Sequence, residues 1–221
     1  MCGRYVLISP FAIIAEEFRV RDGGGDLKPR FNIAPGQDIL AVVRRENTNR
    51  LSRFRWGLIP PWADDPAIGN RLINARAETV AQKPSFRSAF DKRRCLIVSD
   101  GFYEWRGEGR KKSPFYISMR SQKPFGLAGL YETWRSPGGP EVMSCTIITT
   151  EANDLLRPIH NRMPVIMPKE EEDRWLDPAI HDRTRLLSLL RPYPAAEMTA
   201  WGVSPRVNNP ANDSPENIKS L

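Results

Sequence analysis

The chain has 221 residues, 40% hydrophobic and 27% charged, with 33 Lys and Arg against 26 Asp and Glu, a formal net charge of +7. That length supports one self-sufficient core, and the composition excludes a disordered or low-complexity chain. The basic balance is compatible with a polyanionic partner but does not by itself require one. In chain order, Ser9-Pro10 followed by Phe11 to Phe18 reads as a capped amphipathic helix with Pro at its first position. Gly23-Gly24-Gly25 reads as a flexible loop. Ile39 to Val43 and Leu51 to Trp56 read as a strand pair joined by the polar turn Glu46 to Asn49. A short helix is predicted over Pro84 to Asp91. Strands are predicted over Cys95 to Val98, Phe102 to Trp105, Pro114 to Met119, Phe125 to Leu130 and Met143 to Thr150, and helices over Pro168 to Leu176 and Asp182 to Leu190. Strands come in runs rather than alternating with helices. The expected class is therefore α+β: a single domain over residues 1–221, on a curved, mostly antiparallel, barrel-like sheet with flanking helices. The last few residues are expected to form a disordered tail.

Cys2, Cys95 and Cys145 are far apart and odd in number, with no C-x-x-C or Cys/His cluster, so neither bound metal nor a disulfide framework is expected. Cys95 and Cys145 lie in apolar strand-like runs, where thiols are usually inert. No apolar run approaches the roughly 18 residues of a membrane span, and the N-terminus has no signal-peptide pattern. A reducing cytoplasm, with nucleoid association in a bacterium, is the expected compartment.

Six segments carry candidate chemistry. Met1-Cys2-Gly3-Arg4 begins the chain, and trimming of Met1 would leave a 1,2-aminothiol on Cys2. If this segment is extended, Cys2 and Arg4 share a face, where the cation would favour thiolate or hold a phosphate. Asn74-Ala75-Arg76-Ala77-Glu78 alternates polar groups with alanines. An extended conformation lines up the polar groups on one face, and a helix start pairing Asn74 with Glu78 fits the pattern equally. Glu104 lies among Phe102, Tyr103 and Trp105, surroundings that raise a carboxyl pKa and suit proton transfer. A solvent-facing Glu on an edge strand fits as well. His160 sits in a Pro-bracketed loop beside Asn161 and Arg162, placed for acid–base or oxyanion work or for a structural role. Trp56 to Trp62 is aromatic and stiffened by Pro60-Pro61; its rings suit base stacking or a core. The basic loop Arg106 to Lys112 suits phosphates or a solvated hairpin tip.

Together these segments resemble the SRAP (SOS-response-associated peptidase) family of abasic-site processing proteins. The matching stretches, in order, are Met1 to Tyr5, Phe31 to Gly36, Trp56 to Trp62, Ile73 to Thr79, Asp100 to Trp105, Ala128 to Trp134 and Ile159 to Pro164. The resemblance implies a domain that binds single-stranded DNA and captures abasic sites covalently, as a thiazolidine through Cys2 once Met1 is gone. Asn74, Glu104 and His160 fall on the other active positions. Arg4 and Arg76 fall on phosphate-contacting arginines, and Trp56, Trp62 and Arg162 complete the expected DNA contacts. It implies no cofactor, no metal and no membrane, a monomer, and single-stranded abasic DNA, including fork-like junctions, as the partner. Lyase activity through a Schiff base is compatible with the same chemistry. Two other classes remain open on the residues alone: an N-terminal-nucleophile peptidase or amidohydrolase, and a non-catalytic nucleic-acid-binding module.

Overall fold

The computed structural model describes residues 2–21, 27–107, 112–136 and 138–221. Met1, the Gly23 to Gly25 loop and most of the basic Arg106 to Lys112 loop lie outside the described residues. The β-branched and aromatic runs form strands wherever the sequence predicts them. In order, the chain makes β1 (Tyr5–Leu7), α1 (Phe11–Phe18), β2 (Arg30–Ile33), β3 (Asp38–Arg45), β4 (Thr48–Trp56), β5 (Asn74–Arg76), α2 (Arg87–Lys92), β6 (Arg94–Ser99) and β7 (Gly101–Arg106). It continues through β8 (Ser113–Met119), β9 (Phe125–Arg135), β10 (Glu141–Glu151), β11 (Arg162–Pro164), α3 (Glu172–Leu176), α4 (Arg183–Leu187) and β12 (Met198–Gly202).

One sheet closes on itself. β3 pairs with β4 and β6, β6 with β9, and β10 pairs with both β9 and β4, which completes a five-stranded barrel. The tip between β3 and β4 is a two-residue turn with Glu46 at φ 50° and Asn47 at φ 59°. Two left-handed residues match the right-handed strand twist, as in a type I′ hairpin. All of β6 is buried, because Trp175 of α3 covers its outer side and donates its indole N–H to the Cys95 carbonyl at 2.9 Å. The second sheet runs β12-β8-β7-β1-β2 and is antiparallel throughout. The whole is a single α+β domain.

β10 is the spine of the architecture. Ser144 and Cys145 run parallel to the end of β4, and three residues, Ile147 to Thr149, then run parallel to β5 along the same edge. On its other edge β9 ends at Ile147, and β11 takes over at Thr149 to Glu151. β5 and β11 therefore flank one end of β10 and bring the Asn74 and His160 segments to the same end of the barrel.

Three expectations are corrected. Ser9 does not cap α1: its hydroxyl donates to Asp100, whose other oxygen accepts the Ile8 and Ser9 N–H groups at 2.6 and 2.8 Å. The helix starts behind Pro10 with no side-chain cap. Cys2 and Arg4 do not share a face. The ladder begins only at Tyr5, and across Gly3 the alternation breaks: Cys2 enters the main core while Arg4 turns toward Asn32 and the Val207 segment. The last residues are not a tail. Leu221 N–H donates to the Gly202 carbonyl at 3.1 Å, and Trp201 donates its indole N–H to Ile218 at 2.9 Å. Among the described residues no helix is long and apolar enough to cross a membrane.

Candidate active site

The site lies where the two sheets meet. β1 runs antiparallel to β7 with Tyr5 opposite Phe102, and Tyr103 N–H donates to the Arg4 carbonyl at 3.0 Å. Continuing that register sets Glu104 opposite Gly3, next to Cys2. Glu104 is 2% exposed, and burial pushes its carboxyl up to about 7. A carboxyl at that value holds both proton states near neutrality, as an acid–base group requires. Cys2 is wholly buried; burial, and secondarily the negative field of Glu104, push its thiol well above the usual range. Arg4 does not offset this, because its guanidinium donates to Asn32 Oδ1 at 2.8 Å, Val207 O at 2.7 Å and Asn208 O at 3.0 Å.

Asn74 is the first residue of β5, which settles the Asn74 to Glu78 segment as extended rather than helical. Ala75 and Ala77 pack inward, and Asn74 and Arg76 project to the other side. Asn74 Nδ2 donates to the Cys2 carbonyl at 2.8 Å, tying the barrel to the start of the chain. Its Oδ1 is buried without a hydrogen-bond partner among the described residues, an acceptor held open in the site.

His160 precedes β11. Its Nδ1 accepts from the Arg162 backbone N–H at 3.0 Å, and the Arg162 carbonyl lies slightly farther, at 3.2 Å. Nδ1 therefore faces both the Arg162 N–H and its carbonyl, and Nε2 is the ring nitrogen left for another partner. Burial lowers the pKa of the ring. Nδ1 stands 4.0 Å from Glu104 Oε2, in electrostatic reach but beyond a hydrogen bond.

The expected DNA contacts separate. Trp62 is 57% exposed on its Pro-stiffened loop, and Arg76 is exposed at the end of β5. Trp56 is corrected: at 1% exposure its ring stacks edge-on against Tyr5 and its indole N–H is used by Ile73 O, leaving no face for a base. Arg162 holds Glu78 through both oxygens, at 2.5 and 3.0 Å, and also donates to the Thr149 carbonyl at 2.7 Å. Its hydrogen bonds hold the Glu78 carboxyl below the usual range. The residue that sequence reasoning missed is Asn32. Its amide donates to the carbonyls of Val207, Asn209 and Asn212, and its Oδ1 receives Arg4. Those partners lie about 180 residues away, so no local pattern could mark it.

A buried carboxyl, an imidazole 4.0 Å from it and an amide bonded to the Cys2 carbonyl thus lie together near the start of the chain. The chain belongs to the SOS response associated peptidase (SRAP) family, whose model matches residues 1–210. It is 48% identical over 223 residues to the abasic site processing protein YoqW of Bacillus subtilis, covering 100% of both chains. It is 31% identical to YedK of Escherichia coli, again with full coverage of both. A crystal structure of a Bacteroides thetaiotaomicron protein, 28% identical, superposes over 100% of both chains with a TM-score of 0.90.

Proposed function

We propose that this protein processes abasic sites in DNA by capturing them, in single strands, as a covalent thiazolidine on Cys2, which protects the lesion from strand cleavage. The names of the relatives, abasic site processing proteins, point to the substrate. The observation that carries the chemistry is the 2.8 Å bond from Asn74 to the Cys2 carbonyl, which pins the residue bearing both reactive groups beside Glu104.

The reaction starts with loss of Met1, by self-cleavage or by an aminopeptidase, which frees the Cys2 amine. An α-amine with a pKa near 7.7–8.0 is roughly a tenth neutral at pH 7, against about one lysine in 2,500. The amine nitrogen adds to the aldehyde carbon of the open sugar, giving a carbinolamine. Protonated Glu104 delivers a proton to the departing hydroxyl, which leaves as water, and the iminium so formed returns its N–H proton to the Glu104 carboxylate, leaving a neutral imine. The thiol then adds across that C=N bond: sulfur bonds to carbon, and Glu104 carries the thiol proton to nitrogen. One water is lost overall. Both nucleophiles sit on one residue, so ring closure is intramolecular. The imine alone permits β-elimination of the 3′ phosphate, the lyase outcome, and ring closure withdraws it.

His160 donates from Nε2 to the sugar oxygen as the hemiacetal opens. The Asn74 Oδ1 accepts from the freed amine. Arg76 and the remaining exposed part of Arg4 hold flanking phosphates, and Trp62 stacks on a neighbouring base. The raised thiol pKa favours this amine-first order over a peptidase that attacks with a preformed thiolate. The protein acts as a monomer, including at fork-like junctions.

The test mixes the protein with single-stranded DNA treated with uracil glycosylase and resolves it by denaturing electrophoresis, alongside the mass of the mature N-terminus. Wild type should give a durable slow band and a mass lacking Met1. Cys2→Ala should cleave some strand through its imine without a durable band. Equal, durable crosslinking by Cys2→Ala would sink the proposal.

A further inference from the structure

At the end of the barrel away from Cys2 lies an open basin of about 500 Å³. Arg19 and Arg21 reach it from the end of α1, and Arg44 and Arg50 from the two sides of the β3–β4 hairpin. Arg44 is fixed in place: two of its nitrogens donate to Asn49 Oδ1 at 3.1 and 3.0 Å, and a third contact reaches Asp173. Arg19 joins the same carboxylate at 2.7 Å. Asp173 is the one carboxylate among the described lining residues, against four guanidinium groups. Glu46 reaches the outer Arg50 at 3.6 Å, with its own side chain 87% exposed.

The end of α1 would normally oppose an anion, because a helix C-terminus carries partial negative charge. Here the last carbonyls are occupied. Ala15 and Glu16 receive the N–H groups of Val20 and Arg19, and Phe18 receives the Asn49 amide at 2.9 Å. With Asp173 and Glu46 set against four guanidinium groups, the surface keeps a net positive charge. None of the described lining residues is aromatic, and all carry charged or polar groups, so its chemistry fits phosphate without reading a base.

The basin is also remote. β4 runs from Thr48, in the basin, to Trp56, and Asn74 pairs with β10 two residues beyond the level of Trp56. At about 3.3 Å per residue the two ends stand roughly 30 Å apart along the strand.

We propose that this arginine basin is a second nucleic-acid contact, which grips the phosphate backbone of a strand whose lesion lies at the Cys2 site. It rests on the DNA reading above for the identity of the ligand and adds a separate anchoring site. Its consequence is length dependence: a short strand captured at Cys2 cannot reach the basin, and a long strand can.

The test reverses the charge of the two arginines that carry least of the local framework, Arg21→Glu with Arg50→Glu. Binding of undamaged single-stranded DNA of about 20 nucleotides is measured across salt in a Cys2→Ala background, so covalent capture plays no part. Two lost phosphate contacts should flatten the log–log salt slope by about 1.4. Between 50 and 200 mM salt that is about a sevenfold smaller loss of affinity than the parent shows. In the Cys2-bearing protein, capture of a trinucleotide with a central abasic site should proceed at the parent rate, which also shows that the variant is folded. An unchanged salt slope, or equal slowing of trinucleotide capture, overturns the basin as a separate anchor. Absence of any capture by the parent would refute the Cys2 chemistry and leave the salt-slope measurement to decide the basin.

Discussion

Replacing Glu104 by Gln should make the protein more stable, and increasingly so as pH rises. The carboxyl is 2% exposed and burial lifts it from 4.5 to about 7. Folding therefore favours its protonated form. Below the unfolded pKa both states are protonated and the group costs nothing. As pH rises from the unfolded toward the folded value, the native state comes to hold a charge in a site cut off from water, and stability falls. The gap of about 2.5 pH units, at about 1.4 kcal/mol each, gives about 3 kcal/mol at high pH. Gln keeps the shape and carries no charge, so it escapes the loss. Urea unfolding of both proteins at about pH 4.5 and about pH 8.5 measures it, through the midpoint difference at each pH. The comparison must be between proteins, because burial also pushes Glu172 up to about 7 and it titrates in both. The same variant should crosslink abasic DNA at least about tenfold more slowly, as expected for loss of an acid–base group. A stability gap that does not widen with pH would refute the claim that burial sets this carboxyl.

Three further outcomes follow from particular contacts. Asn74→Ala removes the 2.8 Å tie to the Cys2 carbonyl, and should cost about 1 kcal/mol in urea melts while slowing crosslinking by more than that loss explains. A rate within twofold of wild type would mean the tie is only structural. The two tryptophans should separate: Trp56→Ala should cost about 3–5 kcal/mol of stability, and Trp62→Ala should leave melts nearly unchanged while weakening single-stranded DNA by about 1–3 kcal/mol. The reverse assignment would contradict their 1% and 57% exposures. Gly57→Ala would set a Cβ 2.6 Å from the Gly69 carbonyl oxygen at φ +128°, so a loss of about 3 kcal/mol is expected, and a midpoint close to wild type would show that the two loops separate freely.

The long strands were legible because their β-branched and aromatic runs are local signals, as β3, β4 and β6 to β10 illustrate. β1, β2, β11 and β12 were not predicted as strands, since three to five residues carry too little periodicity and are extended only because a neighbour pairs with them. Asn74 shows the limit within the site. Its segment fits helix and strand alike, and the parallel pairing with Ile147 to Thr149 decides between them. Trp56 failed as a DNA contact for the same reason: nothing in Trp56 to Trp62 tells which ring faces Tyr5 and which faces solvent. The burial of Glu104 was open to sequence reading only in part: of its aromatic neighbours Phe102 shares its face of β7, while Tyr103 and Trp105 pack on the other. The hold of the Arg162 backbone on His160 Nδ1 was not open to it.

The way β10 holds β5 bears on the order in which the molecule comes together. β9 and β10 are consecutive in the chain and can zip as a hairpin soon after both exist. Asn74 must find Ile147 across more than 70 intervening residues, and β4 must close on Ser144 across a longer stretch still. Such distant pairings pay their chain entropy before they gain contacts, so they belong to the slow phase of folding. The amide that fixes Cys2 is thus among the last groups to arrive. Under the proposed chemistry, a newly made chain that has lost Met1 carries its aminothiol for a time without the architecture that directs it, and barrel closure is the moment at which that group becomes selective.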